Sequence, residues 1–241
     1  MLLQAMKAEN LKLKGNPVWI AFLILPALSA LIGTLNFTYN QGVLSNTWNS
    51  LWSQHTLFLC YFFLPPLIGT YCAYLWRMEY FNRNLNFYMT VPIPRTYLLL
   101  SKLFTATKMV CLSIAWIFFL FVVCGKIAHI TEPLPISLVE WFLCGLLGGL
   151  AICSLQLLLS MIIRSFSIPI GISLLGGILG LMFTTKGYML YWPYALLSYG
   201  MRANKPGMQI ELFPFVVSNC MFIIVFMVLS ALILTHRDVN A

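Results

Sequence analysis

The sequence predicts an all-α polytopic membrane protein with six transmembrane helices, forming one membrane domain over residues 1–241. Of the 241 residues, 61% are hydrophobic and only 8% are charged, against roughly 25% charged residues in ordinary soluble domains. No Asp, Glu, Lys or Arg occurs between Lys14 and Arg77. The apolar runs are long and unbroken, whereas a membrane β-barrel would show alternating segments of about 10 residues. These observations exclude a soluble globular chain and a disordered one.

Six apolar runs have the length that a transmembrane helix needs, about 20 residues. They lie at about 17–37, 54–76, 98–123, 137–163, 168–186 and 213–235. Prolines inside them are expected to kink or begin helices; these are Pro26, Pro65, Pro66 and Pro169. The glycine pairs Gly145/Gly149 and Gly176/Gly180 are each spaced four residues apart, which predicts close helix packing.

The lysines and arginines predict that both termini face the cytoplasm. With the N-terminus inside, ten basic residues are cytoplasmic and four are outside, as the positive-inside rule requires. The ten are Lys7, Lys12, Lys14, Arg77, Arg83, Arg95, Lys102, Lys108, Arg164 and Arg237, and the four are Lys126, Lys186, Arg202 and Lys205. The net charge of +8 is therefore a topology signal, and no nucleic-acid partner is expected.

Residues 1–16 are polar on balance and predict an amphipathic helix in the cytoplasmic membrane interface. Glu9 falls in the middle of the apolar side of this helix, where an unpaired carboxylate is costly. Either Glu9 has a basic partner from the next cytoplasmic loop, or it is solvated at a frayed helix end. A cleaved signal peptide does not fit, because the first apolar run is too long and no Ala-x-Ala site follows it.

The segment between the second and third runs is amphipathic and rich in Phe, Tyr and Asn. Residues 82–90 have the length of two helical turns, and Pro92 and Pro94 disfavour helix at the residues before them. Such a segment suits docking into a groove of a partner protein, with a plain connector as the alternative.

Taken together, these residues resemble the type-2 ATP-binding-cassette (ABC-2) exporter permeases. The cytoplasmic loop of that family is similar to Glu79, the polar stretch after it, Val91-Pro92-Ile93-Pro94-Arg95, and Leu98–Leu100 with Lys102. Its interfacial helix is similar to Glu9-x-x-Lys12-Leu13-Lys14. The resemblance extends over essentially the whole chain, with Asn82 or Asn84 where the family often has glycine.

The resemblance implies that residues 82–90 form a coupling helix that docks into a separate ATPase subunit. That subunit would bind ATP and Mg, whereas this chain, which has no Gly-x-x-x-x-Gly-Lys-Ser/Thr loop, is expected to bind no cofactor or metal and to be no enzyme. A second permease, related or identical, would complete the pore. The implied coupling residues are Glu79, Tyr80, Asn82, Arg83, Asn84, Leu85, Phe87, Tyr88, Pro92 and Arg95, and those of the interfacial helix are Glu9, Lys12 and Lys14.

An aromatic-rich segment follows the fifth run and begins at Lys186. Its Tyr191, Trp192, Pro193 and Tyr194 are candidate substrate or outer-leaflet residues, with an ordinary aromatic belt as the alternative. The compact size and this segment resemble permeases of lantibiotic-immunity and bacitracin-type self-protection exporters. That resemblance implies removal of an amphipathic peptide antibiotic from the cytoplasmic membrane of a Gram-positive bacterium. Export of a lipid or another small hydrophobic compound is the alternative within the family.

Two other function classes are weighed against export. An intramembrane enzyme would need converging polar side chains, yet no His or Glu pair has metal-binding spacing, and the seven cysteines are expected to be small core residues. An ion-coupled carrier or channel would place ionisable residues mid-span. Lys102 is expected to snorkel to the interface. Lys108 lies deeper, and either meets Glu79 or Glu9 or lines a cavity.

Overall fold

The computed structural model describes residues 2–81 and 94–236, and these residues form helices joined by turns and short loops. The α-helices are α1 (Leu2–Leu13), α2 (Val18–Tyr39), α3 (Trp48–Phe58), α4 (Leu64–Tyr80), α5 (Arg95–Ile127), α6 (Leu138–Ile162), α7 (Ser167–Thr185), α8 (Pro193–Gly200) and α9 (Leu212–His236). A π-helical segment (Leu59–Phe63) joins α3 to α4, and a 3-10 turn (Met189–Tyr191) precedes α8. The six predicted spans are confirmed, since six helices are long and apolar enough to cross a membrane.

The second span is longer than predicted and contains the π segment. It runs from Trp48 to Tyr80, and the π segment ends just before the pair Pro65-Pro66. A proline lacks an N–H group, and its ring clashes with the carbonyl group four residues earlier. The helix opens into a π turn, in which the Leu64 N–H donates to the Leu59 carbonyl. This wider turn lets the helix continue through both prolines.

Glycines allow α8 to pack closely between α6 and α7. A Cβ atom added at Gly148 would lie 2.7 Å from Leu197 Cα, and one at Gly176 would lie 2.4 Å from the ring of Tyr194. The predicted pair Gly145/Gly149 likewise meets close neighbours, at Met201 and Val110. Close packing at the glycine pairs is therefore confirmed, and it takes place within this chain.

Helix α1 and the end of α9 lie on one side of the helix bundle, which we call the α1 side. The helix α1 packs against the first half of α5, and Arg95, the first residue of α5, donates from Nη1 to the carbonyl oxygens of Leu234 and Thr235 at 2.8 Å each. On the opposite side, Trp52 stacks on Trp141 with ring centroids 4.9 Å apart. That the α1 side faces the cytoplasm stays a prediction.

Candidate functional site

Four charged side chains from three helices meet on the α1 side. Lys12 Nζ lies 2.7 Å from Glu9 Oε1 and 2.5 Å from Glu79 Oε1. Lys102 Nζ lies 2.8 Å from Glu79 Oε1 and 3.2 Å from each carboxylate oxygen of Glu9. Glu9 and Lys12 are one turn apart on α1, Glu79 is in the last turn of α4, and Lys102 is two turns into α5. We call these four residues the ionic cluster.

The ionic cluster is almost completely enclosed. The side chains of Glu9, Glu79 and Lys102 are at most 1% exposed, and that of Lys12 is 19% exposed. Two carboxylates and two ammonium groups give zero net formal charge, which is the condition under which buried charges are tolerated. Lys102 also donates to the Leu75 carbonyl oxygen at 2.9 Å, so its ammonium group reaches three acceptor residues.

The charge on Lys12 is held by its two partners. Burial lowers the pKa of the Lys12 ammonium group, but the carboxylates of Glu9 and Glu79 outweigh burial and raise this pKa above its ordinary value. Because the pKa is raised by folding, the contribution of Lys12 to stability is fully present below its ordinary pKa and is lost only above it. Lys12 therefore stays charged across physiological pH.

The structure settles the two interpretations of Glu9 and corrects the expectation for Lys102. Glu9 is buried and paired, and its basic partners are Lys12 on its own helix and Lys102 on α5 rather than a residue of a loop. Lys102 does not snorkel: α1 lies across it, so its ammonium group is enclosed by protein. Lys108 meets neither Glu79 nor Glu9; its Nζ atom contacts Asn10 Oδ1 and it lines a groove with Lys14.

Of the predicted coupling residues, the structure describes those at the two ends of the segment. Beside the buried Glu79, Tyr80 donates its hydroxyl to the Met161 carbonyl oxygen at 2.5 Å, and the Arg164 guanidinium lies 5.9 Å from the Tyr80 ring. Arg95 bonds the end of α9. Asn82, Arg83, Asn84, Leu85, Phe87, Tyr88 and Pro92 lie outside the described residues.

We expect Arg95→Gln to loosen the end of α9. The variant removes two charge-assisted hydrogen bonds to backbone carbonyl groups, which corresponds to a loss of about 1–2 kcal/mol for the local closed state. Hydrogen exchange of a peptide covering residues 225–236 should become faster, while exchange in α6 stays unchanged. Unchanged exchange at the end of α9 would contradict an anchoring role for Arg95.

The outer candidate residues line an apolar groove of about 420 Å3 between α6, α7 and α9. Tyr191 is 74% exposed. Trp192 stacks on Phe183 and donates from Nε1 to the Gly176 carbonyl oxygen at 2.9 Å. The buried Tyr194 accepts a hydrogen bond from Gln156 Nε2 at 2.5 Å. Trp192, Pro193 and Tyr194 thus form the packed base of the groove, and Tyr191 forms its exposed rim.

The sequence did not indicate the Gln156–Tyr194 pair. Gln156 is the one amide side chain in α6, and a lone amide in a membrane helix signals an internal hydrogen bond. Among residues 2–81 and 94–236, no group of three or more His, Cys, Asp or Glu side chains is placed to hold a metal ion.

Comparison with known proteins gives one family. The family model described as "ABC-2 family transporter protein" matches residues 5–180, which include the ionic cluster, the first four spans and most of the fifth. A search of the curated proteins finds no match.

Proposed function

Because the chain belongs to the ABC-2 transporter family, we propose that it is the membrane-spanning subunit of an ATP-driven exporter. In this proposal, separate ATPase subunits bind ATP and Mg and dock at residues 82–90, and a second permease subunit completes the pore. The ionic cluster is the observation that carries the proposal. It fixes the interfacial helix α1 to the two spans that border this segment.

The residues on both sides of the proposed docking segment are held by other helices, which explains how a movement of that segment would reach the spans. On one border, Glu79 is held by α1 and α5, and Tyr80 is held by α6. On the other border, Arg95 is held by α9. In the proposal, a displacement of residues 82–90 by an ATPase subunit is therefore transmitted to α1, α4, α5, α6 and α9 together, through contiguous packed and ion-paired contacts.

The apolar groove supports an amphipathic substrate. Its lining is aliphatic and aromatic, with the exposed Tyr191 at the rim. A lantibiotic or a bacitracin-like peptide, which combines an apolar part with a polar part at the membrane surface, fits such a lining. We therefore propose peptide-antibiotic export from the cytoplasmic membrane of a Gram-positive bacterium, rather than export of a lipid.

The assembly is tested by purification of the tagged full-length chain from its native membranes in a mild detergent. Mass spectrometry is expected to find an ATPase that contains a phosphate loop. A second six-span chain in the same preparation would indicate a heteromeric permease, and this chain alone would indicate a permease made of two identical copies. Glu9→Lys, which places a third cation beside Lys12 and Lys102, is expected to reduce the recovered ATPase. A preparation without any ATPase would overturn the exporter assignment.

The role of the apolar groove in transport is tested by a matched pair of tryptophan substitutions on α7. Leu175 lines the groove, whereas its neighbour Leu174 is exposed outside the groove. Leu175→Trp is expected to lower the inhibitory concentration of a lantibiotic or bacitracin at least about fourfold, which corresponds to roughly 1 kcal/mol of lost interaction. Leu174→Trp is expected to leave it unchanged. Equal resistance in both variants would remove the groove from the transport path.

A further inference from the structure

We propose that a second groove, between α1, the start of α2 and α5, binds the phosphate group of an anionic membrane phospholipid. The groove encloses about 590 Å3, and Lys7, Lys14 and Lys108 line it together with Leu11, Leu13 and Trp19. None of the described carboxylates lines it. We call it the lysine groove. It lies apart from the apolar groove beside Tyr191, and the proposal made for it does not depend on the proposed transport function.

The three lysines have no acidic partner in the part of the chain that the structure describes. Glu9 and Glu79, the two carboxylates of the α1 side among the described residues, are already paired with Lys12 and Lys102 in the ionic cluster. Lys108 Nζ contacts only the neutral side chain of Asn10, whose own amide nitrogen donates to the Met6 carbonyl oxygen at 2.8 Å. Within residues 2–81 and 94–236, the positive charge of the lysine groove is therefore uncompensated, and an anion would neutralise it.

The position of Lys108 along α5 places the groove at headgroup level. Lys126 is 18 positions after Lys108 with no charge between them, and 18 helical steps span about 27 Å. That length matches the hydrocarbon thickness of about 30 Å, so the two lysines mark the two boundaries of the hydrocarbon region. Lys108 is thus a boundary residue, at the depth where lipid phosphate groups begin.

The surroundings of the groove favour a lipid over a soluble anion or an acidic protein. Leu11 is 69% exposed, Ile20 on α2 is 60% exposed, and Phe104, one turn before Lys108, is 49% exposed. Large apolar side chains exposed around a basic groove match the glycerol and upper acyl chains of a phospholipid. Trp19, whose Nε1 donates to the Leu13 carbonyl oxygen at 2.8 Å, forms an aromatic wall of the kind found at membrane interfaces.

The test measures lipid retention by native mass spectrometry of the delipidated, full-length protein after addition of phosphatidylglycerol or phosphatidylcholine. The wild-type protein is expected to retain phosphatidylglycerol in preference to phosphatidylcholine. Replacing all three lysines with glutamine is expected to lower the affinity for phosphatidylglycerol at least about tenfold, and Lys108→Gln alone about threefold. Lys126→Gln, on the same helix at the other membrane boundary, is the matched control and is expected to leave retention unchanged.

The possible outcomes distinguish a phospholipid site from a site for free phosphate and from a protein interface. Competition by inorganic phosphate at the same concentration as the lipid would overturn a lipid site in favour of a free-anion site. Equal loss in Lys126→Gln, or equal retention by the triple variant and the wild type, would overturn the assignment to these lysines. Loss of a copurified ATPase with lipid retention unchanged would show that the lysines form a protein interface. Lys108→Arg keeps the charge and is expected to retain the lipid.

Discussion

Lys102→Met is expected to destabilise the folded protein by about 3–5 kcal/mol, the cost of removing one partner from a buried ion pair. The substitution preserves the volume and apolar stem of the side chain but removes its ammonium group. Two buried carboxylates, those of Glu9 and Glu79, are then left with Lys12 alone, so the net charge of the ionic cluster changes from zero to −1. The measurement is the fraction of monodisperse protein that remains in detergent after heating, followed by size-exclusion chromatography with fluorescence detection.

A second substitution separates charge imbalance from loss of packing. In Lys102→Met/Glu79→Gln, the neutral pair Glu9–Lys12 remains, so more than half of the lost stability is expected to return. Lys126→Met removes a lysine from the opposite end of the same helix and is expected to change stability by no more than about 0.5 kcal/mol. A double variant less stable than Lys102→Met would show that charge balance does not govern the cluster.

The span count was predictable because hydrocarbon imposes one rule on every crossing segment, a long apolar run without charges. The actual helix ends were less so. Trp48–Tyr80 and Arg95–Ile127 extend past the predicted runs, because contacts with distant parts of the chain stabilise their polar ends. The Trp48 indole, for example, donates to the Glu132 carbonyl oxygen at 2.8 Å. Such contacts join residues far apart in sequence and leave no periodic signal.

The ionic cluster was predictable in part. The cost of a carboxylate on the apolar side of α1 indicated that Glu9 needed a basic partner, and this prediction is confirmed. The identity of that partner was not accessible, because it depends on how α1 lies across α5. A lysine near the end of a membrane helix favours snorkelling to water; at Lys102 the protein itself supplies the acceptors, so the side chain turns inward. The coupling role of Glu79 and Arg95 stays a prediction.

Gly177→Ala is expected to destabilise the packing of α7 against the second span by about 1–3 kcal/mol, the usual cost of overpacking. A Cβ atom at Gly177 would lie 2.4 Å from the Tyr61 carbonyl oxygen and 2.9 Å from Pro65 Cγ. These neighbours cannot move away easily. The Tyr61 carbonyl belongs to the π segment, and Pro65, whose ring faces Gly177, is locked in φ. The Pro65 carbonyl is also held, since Ser173 Oγ donates to it at 2.6 Å.

Gly171→Ala is the matched control, because it adds the same methyl group to the same helix at a position with no atom within 4 Å. In a helix interior, alanine is favoured over glycine by roughly 0.5–1 kcal/mol, so this variant is expected to be as stable as the wild type or slightly more stable. Both proteins are compared by heating in detergent, as for Lys102. If Gly177→Ala is as stable as Gly171→Ala, the close approach of α7 to the π segment is wrong. If only Gly177→Ala is destabilised, the contact of α7 with the π segment requires a glycine at this position.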